Sequence, residues 1–306
     1  VRAFVKKSAE DDTVELAEVP VPRIDNVELL VRVHAIGVGI HDTSFVPADA
    51  AYPYPIGIEA AGVIEEIGKD VSGFQPGERV AFISSMQSKG GTWAEYAAVE
   101  SSSLIVPIPS AMGFGEAAAA PVAGNTALRA IEALGVTPPG GSLFVAGGSG
   151  AVGTFAIQIA RQRGWRVGAS SSTRNHDYLR MLGAEAVVDY HDSDWTQQIQ
   201  QWAPTGVDAA IAVQPNTSAQ VMEAVQDGGH LISISGDRVE PERGVRVEVV
   251  PHLSDVRDDL VEMMDRISRG EAHVEIERTY PFEDALDALA RVQTRHTRGK
   301  LVVVVE

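Results

Sequence analysis

Over the first hundred residues the apolar positions come in short runs: "RAFVKK", "ELLVRVHAIGVG", "AAGVIEEIG", "ERVAFI" and "WAEYAAVE". Pro and Gly separate them at "VPVPR", "YPYP" and "FQPGERV". Short β-branched and aromatic runs bounded by turn residues predict strands, here a partly closed, mostly antiparallel β module. From about residue 115 the rhythm changes. "GEAAAAPVAGNTALRAIEALG" has helical spacing, with Pro121 and Gly124 as interruptions. Strands and helices then alternate through "SLFVAG", "RVGASSS", "NHDYLRMLG", "AVVDY", "DWTQQIQQWA", "VDAAIAV", "TSAQVMEAVQ" and "HLISISG". That alternation predicts βαβ winding and a doubly wound parallel sheet, so the fold class is α/β. "SDVRDDLVEMMDRISRG" reads as an amphipathic helix, and the chain closes with the helix "FEDALDALARVQ" and the strand "GKLVVVVE". The winding begins only after residue 140, and the closing helix and strand read as a return to the first module. The predicted organisation is a discontinuous β domain, 1–120 with 255–306, around an inserted α/β domain, 121–254.

The chemistry concentrates at "VAGGSGAVG", Val145 to Gly153. "GSLFV" before it predicts a buried strand. After it Val152, Phe155, Ala156, Ile159 and Ala160 repeat at helical spacing until Gly164. Gly148-Ser149-Gly150-Ala151-Val152-Gly153 therefore stands where a strand turns into a helix. Glycines there allow positive φ and close backbone approach to a pyrophosphate, and the helix N-terminus offers free N–H groups and partial positive charge. A P-loop would require Lys after Gly153, where Thr154 stands, and a nucleophile elbow would require Gly at Ala151. The motif reads as a dinucleotide cradle.

The second strand of the winding sharpens the choice of dinucleotide. A carboxylate about 20 residues beyond the glycines binds the ribose 2′-hydroxyl of NAD. This strand ends instead in Ser170, Ser171 and Ser172, with Arg174 just after and Asp177 further on. Hydroxyls and a guanidinium suit a 2′-phosphate, through charge-assisted bonds, and so favour NADPH. A solvated serine-rich loop with a surface arginine is the alternative.

Composition narrows the classes. The 306 residues carry a formal net charge of −17 and no cysteine. So acidic a chain is a poor candidate for non-specific binding to nucleic acid or anionic membrane. The absence of cysteine excludes disulfides, thiolate catalysis and Cys-ligated zinc. The eight histidines, at 34, 41, 176, 191, 230, 252, 273 and 296, show no His-x-His or His-x-x-x-His pair, and no metal site is expected. No run is long enough to span a membrane and "VRAFVKKSAEDD" has no signal-like apolar region, so a cytoplasmic protein is expected.

Read in order, "RVHAIGVGIHDTSF", "YPIGIEAAGVIEEIG", "PGERVAFI", "GGTWAEYAAV", "PVAGNTALRAI", "VAGGSGAVG", "SSTRNHDYLRMLGAEAVVDY" and "HTRGKLVVVV" cover nearly the whole chain. Together they resemble the quinone oxidoreductase (zeta-crystallin-like) branch of the medium-chain dehydrogenase/reductase superfamily. The resemblance implies a GroES-like β-rich catalytic domain and a Rossmann domain, with NADPH in the cleft between them. It implies hydride transfer to a quinone or an α,β-unsaturated carbonyl. Where zinc members carry a ligand Cys and a ligand His stand Gly39 and Ile58, which implies a zinc-free member. Gly124 and Thr126 match the helix start on the nicotinamide side, with Asn125 in place of a usual Leu, and Tyr190 matches a position near the adenosine end. The family's Asn-Pro-x-Asp, with Tyr two residues on, is here Gly39-Ile40-His41-Asp42 and Ser44. Asp42 fits, while the Asn and Tyr are missing, which leaves quinone specificity open.

His41, Asp42 and Tyr52 are the candidate proton donors, with Tyr54 near them. A structural histidine is the competing reading at 41, and a brace for its own loop at 42; solvent can also protonate a reduced quinone. Enoyl-thioester reduction and NADPH binding without turnover are the rival functions. "VRVEVV", 245–250, reads as an exposed edge strand through which a homodimer would form.

Overall fold

A computed structural model describes every residue except 11, 85, 252, 253 and 306, so His252 lies outside the described residues. The chain divides into two compact units, Val1–Val122 with Arg257–Glu306, and Ala123–Val256.

The first unit begins with β1 (Arg2–Lys6), β2 (Glu15–Glu18), β3 (Glu28–Val38), β4 (Tyr54–Pro55), β5 (Glu59–Ile67), β6 (Arg79–Ile83), β7 (Tyr96–Glu100), β8 (Ile105–Pro107) and α1 (Phe114–Ala118). β3 is the spine. It runs antiparallel to β5 along its length and to β7 over its first half. β6 and β8 continue the sheet beyond β5, while β1 carries β2 and β4 in a separate three-stranded sheet. The apolar runs of β3 and β5 are nearly all buried. Phe4 packs edge-on against Trp93, ring centres 5.8 Å apart, in a core shared with Leu29, Ile36, Ile64 and Phe82. α1 lies directly on β3: a Cβ at Gly37 would sit 2.2 Å from the Ala118 carbonyl oxygen, so only glycine permits the approach.

α2 (Pro121–Ala133) leads into the second unit. The expected interruption at Gly124 does not occur. Pro121 takes the first helical position, where its missing N–H costs nothing, and the helix runs through Gly124. There follow β9 (Ser142–Ala146), α3 (Ala151–Gln162), β10 (Arg166–Ser171), a 3₁₀ turn (Thr173–Asn175), α4 (His176–Met181), β11 (Ala186–Asp189), α5 (Trp195–Trp202), β12 (Val207–Ala212), α6 (Ser218–Ala224), β13 (Val225–Ser233) and β14 (Arg246–Val249). All six strands are parallel, in the order β11-β10-β9-β12-β13-β14. The chain leaves the central β9 towards β10 and later returns on its other side at β12. This is the doubly wound arrangement whose ligands bind beyond the carboxyl ends of the strands, where the winding reverses. β14 is an edge strand, with Val249 about half exposed.

The chain then re-enters the first unit through α7 (Arg257–Ser268), β15 (Ile276–Pro281), α8 (Ala285–Gln293) and β16 (Lys300–Val304). β16 pairs antiparallel with the second half of β3, and parallel with β15 at the sheet edge. No helix among the described residues is long and apolar enough to cross a membrane.

Candidate functional site

In the second unit the glycine turn stands between β9 and α3. Gly147 has φ of 84°, and Gly150 is the N-cap of α3, with no side chain among the described residues capping it. The first-turn N–H groups of a helix have no intrahelical partner, so this terminus presents donors and positive charge to an anion. Gly153 is fixed by space: a Cβ there would lie 2.4 Å from the Gly147 carbonyl oxygen and 2.6 Å from Gly148 Cα. At Gly150 a Cβ would meet nothing nearer than 3.6 Å, so the fold itself does not require glycine there. That spare room is what a backbone approached by a pyrophosphate leaves. The cradle fits a dinucleotide.

The loop after β10 is fastened to this turn. Gly148 N–H donates to the Ser170 carbonyl at 2.8 Å and Gly147 N–H to Ser170 Oγ at 3.2 Å. Ser170 and Ser171 are buried, and the Ser171 hydroxyl donates to the Ser172 carbonyl. Ser170 thus braces the turn, while the Ser171 hydroxyl bonds within its own loop. Thr173 and Arg174 are the exposed residues of the loop. Asn175 is buried and its amide donates to Ser149 Oγ at 3.2 Å, tying the loop to the glycines. Gly148 to Gly153, Ser170, Ser171 and Arg174 thus converge on one edge of the sheet. Tyr190 follows β11 at that edge, about half exposed and packed on His191 with ring centres 4.1 Å apart. Ala151 and Val152 open α3, half-buried. On α2, Gly124 is buried and Thr126 half-buried, and Asn125 is buried with its side-chain oxygen unpaired among the described residues.

Asp237 was not visible in the sequence pattern. It caps α6 from a distant loop, accepting from the N–H groups of Asn216, Thr217 and Ser218 at 3.0–3.2 Å.

The first unit holds the other candidates. Asp42 is 1 % exposed. Its Oδ2 accepts from Gly39 N–H at 2.8 Å and from Trp93 Nε1–H at 2.9 Å, and its Oδ1 has no partner among the described residues. Burial pushes this carboxyl up to about 7, against the pull of the Gly39 N–H and of Lys300. The geometry is that of a brace for the 39–42 turn. His41, beside it, is exposed and sits edge-on to Phe45. Desolvation and the charge of Arg295 lower its pKa. Tyr52 is partly exposed and lines a cavity of about 800 Å³ with Lys6, Thr43, Ser44 and Leu289. Tyr54 is buried, and its hydroxyl donates to the Gln87 carbonyl.

Sequence reasoning missed Glu59. It is 1 % exposed, pairs with Lys300, and accepts from Val122 N–H at 2.7 Å, which secures the start of α2. The signal was present as a charge inside the apolar run "GIEAAGV".

Comparison with known proteins decides the family. The alcohol dehydrogenase GroES-like domain family matches residues 25–110, and the zinc-binding dehydrogenase family matches residues 182–303. The chain is 30% identical to quinone-oxidoreductase QR1, chloroplastic, of Triphysaria versicolor, over 94% of this chain and 92% of that one. The chain belongs to the medium-chain dehydrogenase/reductase superfamily, in its quinone oxidoreductase branch. It is also 37% identical to trans-enoyl reductase tazE of Aspergillus terreus over 169 residues, a match that spans about half of each chain (50% and 55%). The superfamily fold is close throughout: the quinone oxidoreductase structure from Coxiella burnetii superposes with a TM-score of 0.90, at 26% identity, covering 100% of this chain and 99% of that one.

Zinc, named in the description of one matching family, does not fit these residues. The chain has no cysteine, and among the described residues no three His, Asp or Glu side chains gather as a metal would need. Gly39 and Ile58 offer no ligand.

Proposed function

We propose that this protein is an NADPH-dependent oxidoreductase that delivers hydride to a quinone or an α,β-unsaturated carbonyl without zinc. The observation that carries the reading is the uncapped, glycine-walled start of α3, with Arg174 displayed on a loop tied to it. The similarity to quinone oxidoreductases along the whole chain supports the choice of reaction.

Bound NADPH supplies the hydride. The N–H groups at the start of α3 would hold the pyrophosphate, Gly150 leaving its approach open while Gly153 keeps α3 close against the turn, and Arg174 would take the 2′-phosphate. By the family resemblance, Tyr190 would stand near the adenosine, and Gly124 and Thr126 near the nicotinamide. With no zinc donor set, hydroxyl, imidazole and N–H groups must stabilise the developing oxyanion. His41 is a weak proton store, because its lowered pKa leaves the imidazole neutral at pH 7 and above. Asp42, cut off from solvent, holds the turn rather than the substrate. Tyr52 is more exposed than Tyr54, and the hydroquinone monoanion that hydride addition gives can take its proton from water. His41→Asn should therefore keep kcat within about threefold at pH 7.5. A fall of a hundredfold or more with retained NADPH affinity would make His41 the donor.

Partners follow from the same reading: a small quinone or enone substrate, no nucleic acid, and a homodimer formed through β14. The match to a trans-enoyl reductase favours a second reading, reduction of an enoyl thioester. Steady-state oxidation of NADPH with a panel of quinones, enones and an enoyl-CoA separates the two. The first reading predicts turnover with quinones or enones; turnover with the thioester alone selects the second, and no turnover with any acceptor refutes both.

A further inference from the structure

One carboxylate, Asp189, stands at the edge where the coenzyme is expected and is engaged by the chain around it. Asp189 is the last residue of β11, in register opposite Ser171, the last of β10. Its side chain is 12% exposed. Oδ2 accepts from Thr173 N–H at 2.7 Å and from the Thr173 hydroxyl. Oδ1 accepts from His191 N–H at 2.9 Å and lies 2.7 Å from His191 Nδ1. Each carboxylate oxygen thus grips the chain that continues from one of the two strands.

We propose that Asp189 is a positioning residue for coenzyme selectivity: by tying Thr173 to the end of β11, it fixes the turn that presents Arg174 to the 2′-phosphate. This rests on the NADPH reading of that loop. Arg174 is the middle residue of the 3₁₀ turn Thr173–Asn175. Its neighbour on one side is held by Asp189 and its neighbour on the other, Asn175, by Ser149 of the glycine turn. A guanidinium displayed between two anchored residues is pre-organised, and binding need not order the loop. The arrangement also answers why an anion is tolerated beside a phosphate site. Four donors surround the carboxylate, and the Thr173 and His191 bonds hold its pKa well below the usual carboxylate range. Its oxygens are turned to Thr173 and His191, so its charge is taken up by the two chain segments it joins.

The test is titration of wild type, Asp189→Ala, Arg174→Ala and the double variant with NADPH and with NADH. The Kd for NADPH should rise about tenfold in Asp189→Ala, with that for NADH changed less than about threefold. The double variant should bind NADPH no more weakly than Arg174→Ala alone, because both substitutions act through one group. Should Asp189→Ala fail to fold, Thr173→Val, which removes only the hydroxyl bond, should lower the NADPH preference about threefold. Equal weakening of both coenzymes with a lower melting temperature would make Asp189 a structural staple and overturn the proposal. So would unchanged or tighter NADPH binding. Wild type that binds neither coenzyme would instead defeat the functional reading itself.

Discussion

Asp42 is the residue whose chemistry is most altered by the fold. Its carboxyl meets two donors and is buried from solvent, and burial carries its pKa to about 7 from an ordinary 3.8. Between those values the folded protein keeps a proton that the unfolded chain has released. Its contribution to stability therefore falls as pH rises from about 4 to 7, and is flat above. Asp42→Asn should remove this slope: the difference in melting temperature between wild type and variant should change steadily across pH 4.5–7, and parallel curves would contradict the account. Asp42→Ala, which leaves the Gly39 and Trp93 donors without an acceptor, should cost about 2–3 kcal/mol by chemical denaturation. The aspartate was legible in the sequence as a candidate, but not its burial. That depends on Trp93, which reaches it from 51 positions away.

Between β9 and α3, two glycines separate what the fold needs from what a ligand needs. Gly153→Ala places a Cβ against the backbone of Gly147 and Gly148, so it should lower the melting temperature by several degrees and abolish coenzyme binding together. Gly150→Ala meets no such obstacle, at φ of −77°. It should leave the melting temperature within a degree or two while weakening coenzyme binding several-fold. If Gly150→Ala binds as wild type does, the cradle is a structural corner only. This element was readable in advance because strand, glycines and helix are adjacent in the chain. Asp189 and Glu59 were not. Their partners are fixed by strand register and by a lysine near the far end of the chain, and no local spacing encodes either.

For the whole molecule, the change from short alternating runs to βαβ winding was enough to give an antiparallel β module and a doubly wound parallel sheet. The closing of β16 against β3 is the longest-range pairing that the apolar run "GKLVVVV" announced. β14 ends the parallel sheet on one side and, among the described residues, pairs with β13 alone, leaving Arg246 and Val249 exposed. Pairing of two such edges would satisfy their backbone groups. Light scattering at micromolar concentration should give a dimer mass for wild type and a monomer mass for Val249→Lys. A monomeric wild type would remove the dimer. The central claim is the coenzyme, and calorimetric titration of wild type and Arg174→Ala with NADPH and NADH tests it most directly. Wild type should prefer NADPH by at least about tenfold, since each charge-assisted bond contributes on the order of 1.5–3 kcal/mol, and Arg174→Ala should lose the preference while still binding NADH. Equal binding of the two by wild type, or binding of neither, would contradict it.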